Sequence, residues 1–286
     1  MTGKVRPGNR RVTGKEQFYT PKDLAKSLTH KVIEIIGPLT DLVVLEPAGG
    51  TGSFVAAAKE LGAKKVISFD IEPKNEEVSR ADFLEAELKL KNALTLSNPP
   101  FGRNNSLSIP FFNKAAQHSQ YIAFIVPRSW RKWSVINRLD QNFHLIHDED
   151  LTIDYVDDEG EMVWQKARLN TCFQIWKREE TLRELIKITD YGLVTKVDPK
   201  DADISLTVFG YGCGKIKTEF EPVPNSTQMF LKLNDPRVLP AMRKIDFSRF
   251  YRNTAYTEAL SLQEIRYLLN EAILGDPGVI KLKEAK

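Results

Sequence analysis

Two cysteines, Cys172 and Cys213, stand apart in a chain of 286 residues. They are too few for a disulfide framework and fall in no metal-ligand spacing, so a reducing, cytoplasmic compartment is the simplest expectation. Histidine is equally scarce, with four in all. His118, His144 and His147 share no ligand spacing, and no metal is expected. No apolar run approaches the roughly 18–20 residues that span a bilayer, so no membrane partner is expected. The basic start of the chain lacks the apolar stretch of a signal peptide, and no internal repeat is visible. Charge of one sign is also lacking: 41 Lys and Arg oppose 38 Asp and Glu, for a net +3 and a pI near 8.6. That balance permits a nucleic-acid partner without demanding one, so the location of the charge matters more than its total. The rest of the composition is ordinary, 42% hydrophobic and 28% charged. It suits one large domain, or a large domain with a small one, around a packed core.

The chain reads as alternating strands and helices. Residues 1–15 carry Lys4, Arg6, Arg10, Arg11 and Lys15 among glycines; this is a basic arm, able to lie along phosphates or to remain solvated. In Tyr19-Thr20-Pro21-Lys22-Asp23, Thr20 suits an N-cap and Pro21 a first helical position. Leu24, Leu28, Val32, Ile35 and Ile36 follow at helical spacing, and Gly37-Pro38 ends the helix. Leu42 to Leu45 is a short buried strand running into Glu46-Pro47-Ala48-Gly49-Gly50-Thr51-Gly52, with a helix after it. Gly50 and Gly52 allow the backbone to approach a ligand closely. Lys65 to Asp70 is the second strand, and its terminal acid lies 18 residues beyond Gly52. An acid there can accept from both hydroxyls of a ribose; Glu72 is the alternative if the strand runs longer.

Ala93 to Leu96 is an apolar run closed by Ser97-Asn98-Pro99-Pro100-Phe101-Gly102. Asn98 then leaves the carboxyl end of a buried strand, where open α/β sheets place their ligands. The two prolines stiffen the turn. The Asn98 side-chain oxygen and the Pro99 carbonyl can accept from one planar NH2 group while Phe101 stacks on the ring that carries it. A Pro-rich turn with Phe101 filling core is the alternative reading. The loop 102–108 either closes over a substrate or merely connects. Further strands are predicted over 121–126, from His144 and over 170–176, with helices over 110–119 and 131–139. Met162 to Ala167 reads as one arm of the last hairpin. Trp164 or Phe173 offers a second stacking face, or simply core. The stretch 148–161 holds eight acids, and a phosphate backbone should avoid it.

The alternation argues for an α/β doubly wound sheet. Beyond residue 181 the rhythm changes. A helix over 182–188, strands over 204–209, 215–220 and 229–233, and a helix over 259–273 are predicted. Residues 237–252 interleave Arg237, Arg243, Lys244, Arg249 and Arg252 with Phe247, Phe250 and Tyr251. This suits phosphates and bases, or a solvated connector.

Asn98-Pro99-Pro100-Phe101 resembles the catalytic Asn/Asp-Pro-Pro-Tyr/Phe motif of class I amino-methyltransferases. The glycine turn at 46–52 is similar to that family's Asp-Pro-x-x-Gly-x-Gly motif, with Glu46 in place of the usual Asp. Gln-Phe-Tyr-Thr-Pro over 17–21 resembles the segment that precedes the first strand in adenine-specific DNA methyltransferases, including modification subunits of type I restriction systems. The resemblance covers about residues 16–178, with its motifs in the order that puts a recognition module last. It implies a Rossmann-like seven-stranded sheet over 16–180, with a small α+β target-recognition module over 181–286. It implies S-adenosylmethionine as cofactor, held by Tyr19, Thr20, Glu46, Pro47, Gly50, Gly52, Asp70, Ile71, Asp82, Phe83 and Asn98. Glu46 would face the methionine ammonium; Asp82 and Phe83 would meet the cofactor's adenine. Asn98, Pro99, Pro100 and Phe101 would hold the target amine. The implied activity is methylation of adenine N6 in DNA, on an extruded or single-stranded base. RNA adenine, cytosine N4, a glutamine amide and a non-catalytic subunit of a modification complex are the rival readings.

Overall fold

The computed structural model describes residues 19–162 and 169–282; the basic arm, Phe18 and Trp164 lie outside them, as does the hairpin arm expected over 162–167 beyond Met162. The chain divides into two compact units. One comprises the residues up to Pro127 together with Arg138–Arg183, the other Arg128–Asn137 with Glu184 onward.

The first unit is built on a seven-stranded sheet. Its strands are β1 (Val43–Glu46), β2 (Lys65–Asp70), β3 (Ser79–Arg80), β4 (Ala93–Ser97), β5 (Ser119–Pro127), β6 (Phe143–Leu151) and β7 (Thr171–Arg178), in the spatial order β3-β2-β1-β4-β5-β7-β6. Strands β1 to β5 pair in parallel, and β7 runs antiparallel to β5 and β6. This order and this reversed strand define the class I methyltransferase fold. The central strands are continuous apolar runs because both faces are covered: all five residues of β4 are buried. At the free edge, β6 carries His144, His147, Asp148, Glu149 and Asp150. Charge on an edge strand opposes pairing with another chain.

Helix α1 (Lys22–Ile36) buries Ala25, Leu28, Thr29 and Val32; of the apolar positions expected to form its stripe, Leu28 and Val32 are buried, while Ile35 is exposed. Gly37 ends it at φ 92°, its N–H donating to the Ile33 carbonyl. The predicted cap differs. Pro21 occupies the N-cap position, and no side chain caps the helix; the Thr20 hydroxyl is engaged elsewhere, as described below. Helices α2 (Ser53–Glu60) and α3 (Ser108–Ala116) follow β1 and β4. Phe112 on α3 meets Phe124, Phe143 and Trp176 edge-on, with centroids 5.5 to 6.1 Å apart, the arrangement that aromatic quadrupoles favour. Phe173 is fully buried on β7, so core is its place.

The second unit departs more from expectation. The helix predicted over 131–139 is a 3₁₀ turn, Arg128–Arg131, and a single helical turn, α4 (Trp133–Ile136). The helix predicted over 182–188 is a strand, β8 (Leu185–Ile188), paired antiparallel with β13 (Val279–Leu282). Its apolar residues fit either period, and only the distant partner strand decides. A second sheet has the order β11-β10-β12-β9, from β9 (Val194–Lys196), β10 (Ile204–Thr207), β11 (Ile216–Lys217) and β12 (Gln228–Leu233). Helices α5 (Val238–Met242), α6 (Ser248–Tyr251) and α7 (Leu262–Leu274) complete the unit. The last begins at a full capping box, with Ser261 and Glu264 bonding each other's backbone N–H. Glu264 is 2% exposed and receives Lys132 at 3.0 Å on both oxygens.

Candidate active site

The chain passes from β1 to β2 and β3 on one side of the sheet, then to β4 on the other. The crevice at the carboxyl ends of β1 and β4 is therefore the topological switch point, where such sheets bind ligands. Glu46 ends β1 and Ser97 ends β4. The Ser97 hydroxyl donates to Glu46 Oε1 at 2.5 Å, and the Ala48 N–H donates to the same oxygen at 2.9 Å. Glu46 is 2% exposed. Its burial pushes the carboxyl up to about 8, outweighing the two hydrogen bonds that favour the carboxylate. A buried acid poised between charge states suits a cationic ligand group.

The glycine turn is shaped from both sides. Gly50 has φ 47°, and a Cβ there would lie 2.6 Å from the Tyr19 ring. Gly52 has φ 80°, and a Cβ there would meet the Asn75 side chain at 2.7 Å. Tyr19 and Asn75 thus lie close beside these two glycines. Asp70 closes the turn: its Oδ2 accepts from the Gly50 N–H at 2.9 Å and its Oδ1 from the Glu72 N–H at 2.8 Å. A carboxylate has about four acceptor sites, so two remain for further donors. The following loop is tied back by Lys74 N–H on the Gly50 carbonyl and Asn75 Nδ2 on that of Thr51. Lys74 also pairs with Asp158 at 3.1 Å. Replacing Gly50 by alanine is expected to destabilise the protein by about 2–4 kcal/mol, from left-handed strain and an overpacked ring together. Thermal unfolding with and without added S-adenosylmethionine would measure it, and an unchanged midpoint would contradict the contact.

Asn98 follows Ser97 directly. Its Nδ2 donates to Thr20 Oγ1 at 3.2 Å, and its Oδ1 is buried with no hydrogen-bond partner among the described residues. Pro99 is buried, Pro100 and Phe101 partly exposed. The Phe101 carbonyl accepts from Leu107 and Ser108 N–H groups at 3.2 and 3.3 Å, which ties the turn to the start of α3. The intervening loop holds Asn104 and Asn105 at φ 54° and 61°, a conformation asparagine tolerates better than most residues.

Tyr19, Thr20, Glu46, Gly50, Asp70 and Asn98 are thereby joined through contacts across the switch point. Ser97 and Asn75 belong to the same set and were not foreseen, since their partners are 51 and 24 residues away. Pro47 follows Glu46 in the turn. Ile71 is 54% exposed beside Asp70, an apolar side chain open to a ligand. Asp82 and Phe83 follow β3. Asp82 Oδ1 caps its own turn by accepting from the Leu84 N–H. Phe83 is 1% exposed between Phe69 and Phe111.

The second unit carries a separate groove of about 560 Å³ between α5, α6 and α7, with Arg237, Lys244 and Arg249 among its lining residues. Arg237 pairs with Asp235 and Arg249 with Glu271. Among the described residues no group of His, Cys, Asp and Glu could hold a metal ion, and no helix is long and apolar enough to cross a membrane.

No family model matches the chain, and no curated protein matches it. Solved structures do. A Pyrococcus horikoshii protein assigned as an RNA methyltransferase is 20% identical with a TM-score of 0.47, over 61% of this chain and 94% of that one. Thermoplasma acidophilum protein 1320 is 20% identical with a TM-score of 0.44, over 58% and 92%. A modification subunit assigned to a type I restriction enzyme of Vibrio vulnificus is 16% identical with a TM-score of 0.42, over 63% and 49%. The fold rests on the sheet itself, on its strand order and its one reversed strand.

Proposed function

We propose that this protein is an S-adenosylmethionine-dependent methyltransferase that acts on the exocyclic N6 of adenine in DNA, with the base extruded or single-stranded. The unpaired Oδ1 of Asn98 carries this reading. A buried acceptor without a donor costs free energy, and native proteins leave few of them. With Nδ2 directed to Thr20, the atom left without a partner among the described residues is an oxygen, which accepts only. It calls for a donor such as an NH2 group on a flat ring. The Pro99 carbonyl would take the second N–H. Two acceptors draw the amine toward a pyramidal geometry and localise its lone pair. Phe101 would stack on the ring.

The cofactor supplies a methyl group already activated on a sulfonium, so no nucleophile or metal is required of the chain. Its own residues bind, orient and exclude water. Glu46 would face the methionine ammonium, Asp70 the ribose hydroxyls, and Ile71 an apolar face of the adenine. Pro47, Gly50, Gly52 and Tyr19 would line the turn around them. A base inside a duplex cannot reach such a turn, so it must leave the stack. Residues 181–286 would form the target-recognition module. The cations Arg237, Arg243, Lys244, Arg249 and Arg252 would meet phosphates there, while the acids of 148–161 would keep clear of them.

The test is transfer from labelled S-adenosylmethionine to duplex DNA, single-stranded DNA and structured RNA. Label in N6-methyladenine of DNA, absent with Asn98→Ala, is the expected result. Label only in RNA would overturn the DNA assignment, and label in N4-methylcytosine the base. No label in any of the three would overturn the activity.

A further inference from the structure

A glycine-rich turn joins β10 to β11 in the second unit. Within it, Gly210-Tyr211-Gly212-Cys213 is closed by the Cys213 N–H on the Gly210 carbonyl at 3.1 Å. Gly212, at φ 81°, fills the third position, which a type II turn keeps for a left-handed residue. Thr207 and the return arm hold the base of the turn, through Gly214 N–H on the Thr207 carbonyl at 2.7 Å and Thr207 N–H on that of Lys215 at 2.9 Å. A second loop is laced alongside. Phe209 bridges Ala259, the Gly210 N–H donates to the Glu258 carbonyl at 3.0 Å, and the Leu260 N–H to that of Val208 at 2.9 Å. Cys213 is buried. The backbone of the turn is therefore fixed from both sides.

The side chain at its tip is not. Tyr211 is 105% exposed, as bare as in an unfolded chain. A Cβ on Gly210 or Gly212 would meet nothing within 4 Å, so the space around the ring is open. Phe209 and Tyr256, on the two laced loops, are 49% and 45% exposed. Tyr211 adds nothing to the core, and a ring on a stiff mount loses little freedom when a partner covers it.

We infer that this turn is a stacking platform for unpaired bases of single-stranded DNA, with Tyr211 as its main contact. This rests on the DNA reading given above. Every base offers a flat face to such a ring. Lys215 and Lys217, on the return arm of the same hairpin, are exposed and have no ion-pair partner among the described residues; they suit the phosphates that accompany the bases. A protein partner would call for a contiguous apolar patch, and here glycines and lysines separate the rings. Glu219 and Glu258 lie close in the chain to these lysines and to the turn, so stacking carries the contact more than charge does.

The test is titration of the full chain with end-labelled single-stranded DNA, its duplex, and single-stranded RNA of the same sequence, followed by fluorescence anisotropy. Tyr211→Ala should weaken single-stranded DNA binding about 5- to 150-fold, the equivalent of roughly 1–3 kcal/mol of stacking. Duplex affinity should change less than about twofold, since paired bases keep their faces in the stack. Tyr211→Phe should bind as the wild type does. Tyr211→Leu, which keeps apolar bulk without a π-face, should fall with Tyr211→Ala. Replacing Lys215 and Lys217 together by Gln should lower the salt slope by up to about 1.4, two phosphate contacts' worth on a single strand. Unfolding midpoints should stay put in the Tyr211 variants, because the ring is fully exposed. Wild-type affinity in Tyr211→Ala or Tyr211→Leu would overturn the inference, as would an equal loss on the duplex or a wild type that does not bind the single strand. Tighter, Tyr211-dependent binding to RNA would overturn the choice of DNA. If single-stranded DNA binding depends on Tyr211 while no nucleic acid is methylated, the proposed function has failed and the platform has not.

Discussion

Replacing Asn98 by alanine should lower the rate of methyl transfer by about 10²- to 10³-fold while leaving the protein as stable as before or slightly more so. The rate loss is the scale seen when one preorganised hydrogen-bonding group is removed from a reacting centre, roughly 3–4 kcal/mol of transition-state stabilisation. The stability expectation comes from the same side chain read without substrate. Asn98 gives one hydrogen bond to Thr20 and buries one acceptor that has no partner among the described residues. Losing the first costs about 1 kcal/mol, and losing the second recovers about 1–3 kcal/mol of desolvation. The sum is near zero or favourable to folding. A residue kept for packing would behave the opposite way, with a lower unfolding midpoint and a rate that falls only as the protein unfolds. Single-turnover transfer and thermal unfolding on one preparation separate the two. A variant with wild-type rate, or one that loses stability in step with activity, would remove Asn98 from the reaction.

How much of this was legible depends on how local each feature is. The apolar run into Glu46-Pro47 and its glycines can only be a strand entering a tight turn, and β1, the turn and α2 formed there. Ala93 to Leu96 read as a buried strand for the same reason. Gly50 and Gly52 were visible as positions of close approach, but what fills the space beside them was not. Tyr19 and Asn75 reach those glycines through the tertiary fold. Strand β8 was misread because a four-residue apolar segment has no period of its own, and its partner β13 begins more than ninety residues later. Thr20 was misread because threonine before a proline is a fair N-cap; a stronger use for its hydroxyl lay 78 residues on. The pair of Ser97 with Glu46 follows the same rule. Sequence reading located both strand ends and missed the bond that joins them.

The burial of Glu46, against which that bond works, sets the second large effect, its pH dependence. Burial raises its carboxyl from the ordinary 4.5 to about 8 in the folded protein. Between those values the folded chain holds a proton that the unfolded chain has released. Stability therefore falls as pH rises through this window and levels off above about 8, a loss on the order of a few kcal/mol. Glu46→Gln cannot ionise, yet its amide oxygen can still accept from Ala48 and Ser97. Its unfolding midpoint should lose this slope and exceed the wild type's at pH 8.5. Ligand binding should show the converse. Below pH 8 a methionine ammonium beside Glu46 would favour the carboxylate, so binding should release close to one proton and tighten up to about tenfold per pH unit. Above about pH 8 the free cofactor's own amine loses its charge, and affinity should fall again. The variant should keep only the falling limb and bind about 10²-fold more weakly at pH 8, because one partner of a buried, charge-assisted contact is gone. Calorimetry at pH 6.5 in two buffers of different ionisation enthalpy counts the proton directly. Wild-type affinity that is flat from pH 6 to 8, with no proton released, would mean that Glu46 does not meet the ammonium. A stabilised variant that binds as tightly as the wild type would mean that the buried acid serves neither folding nor the cofactor.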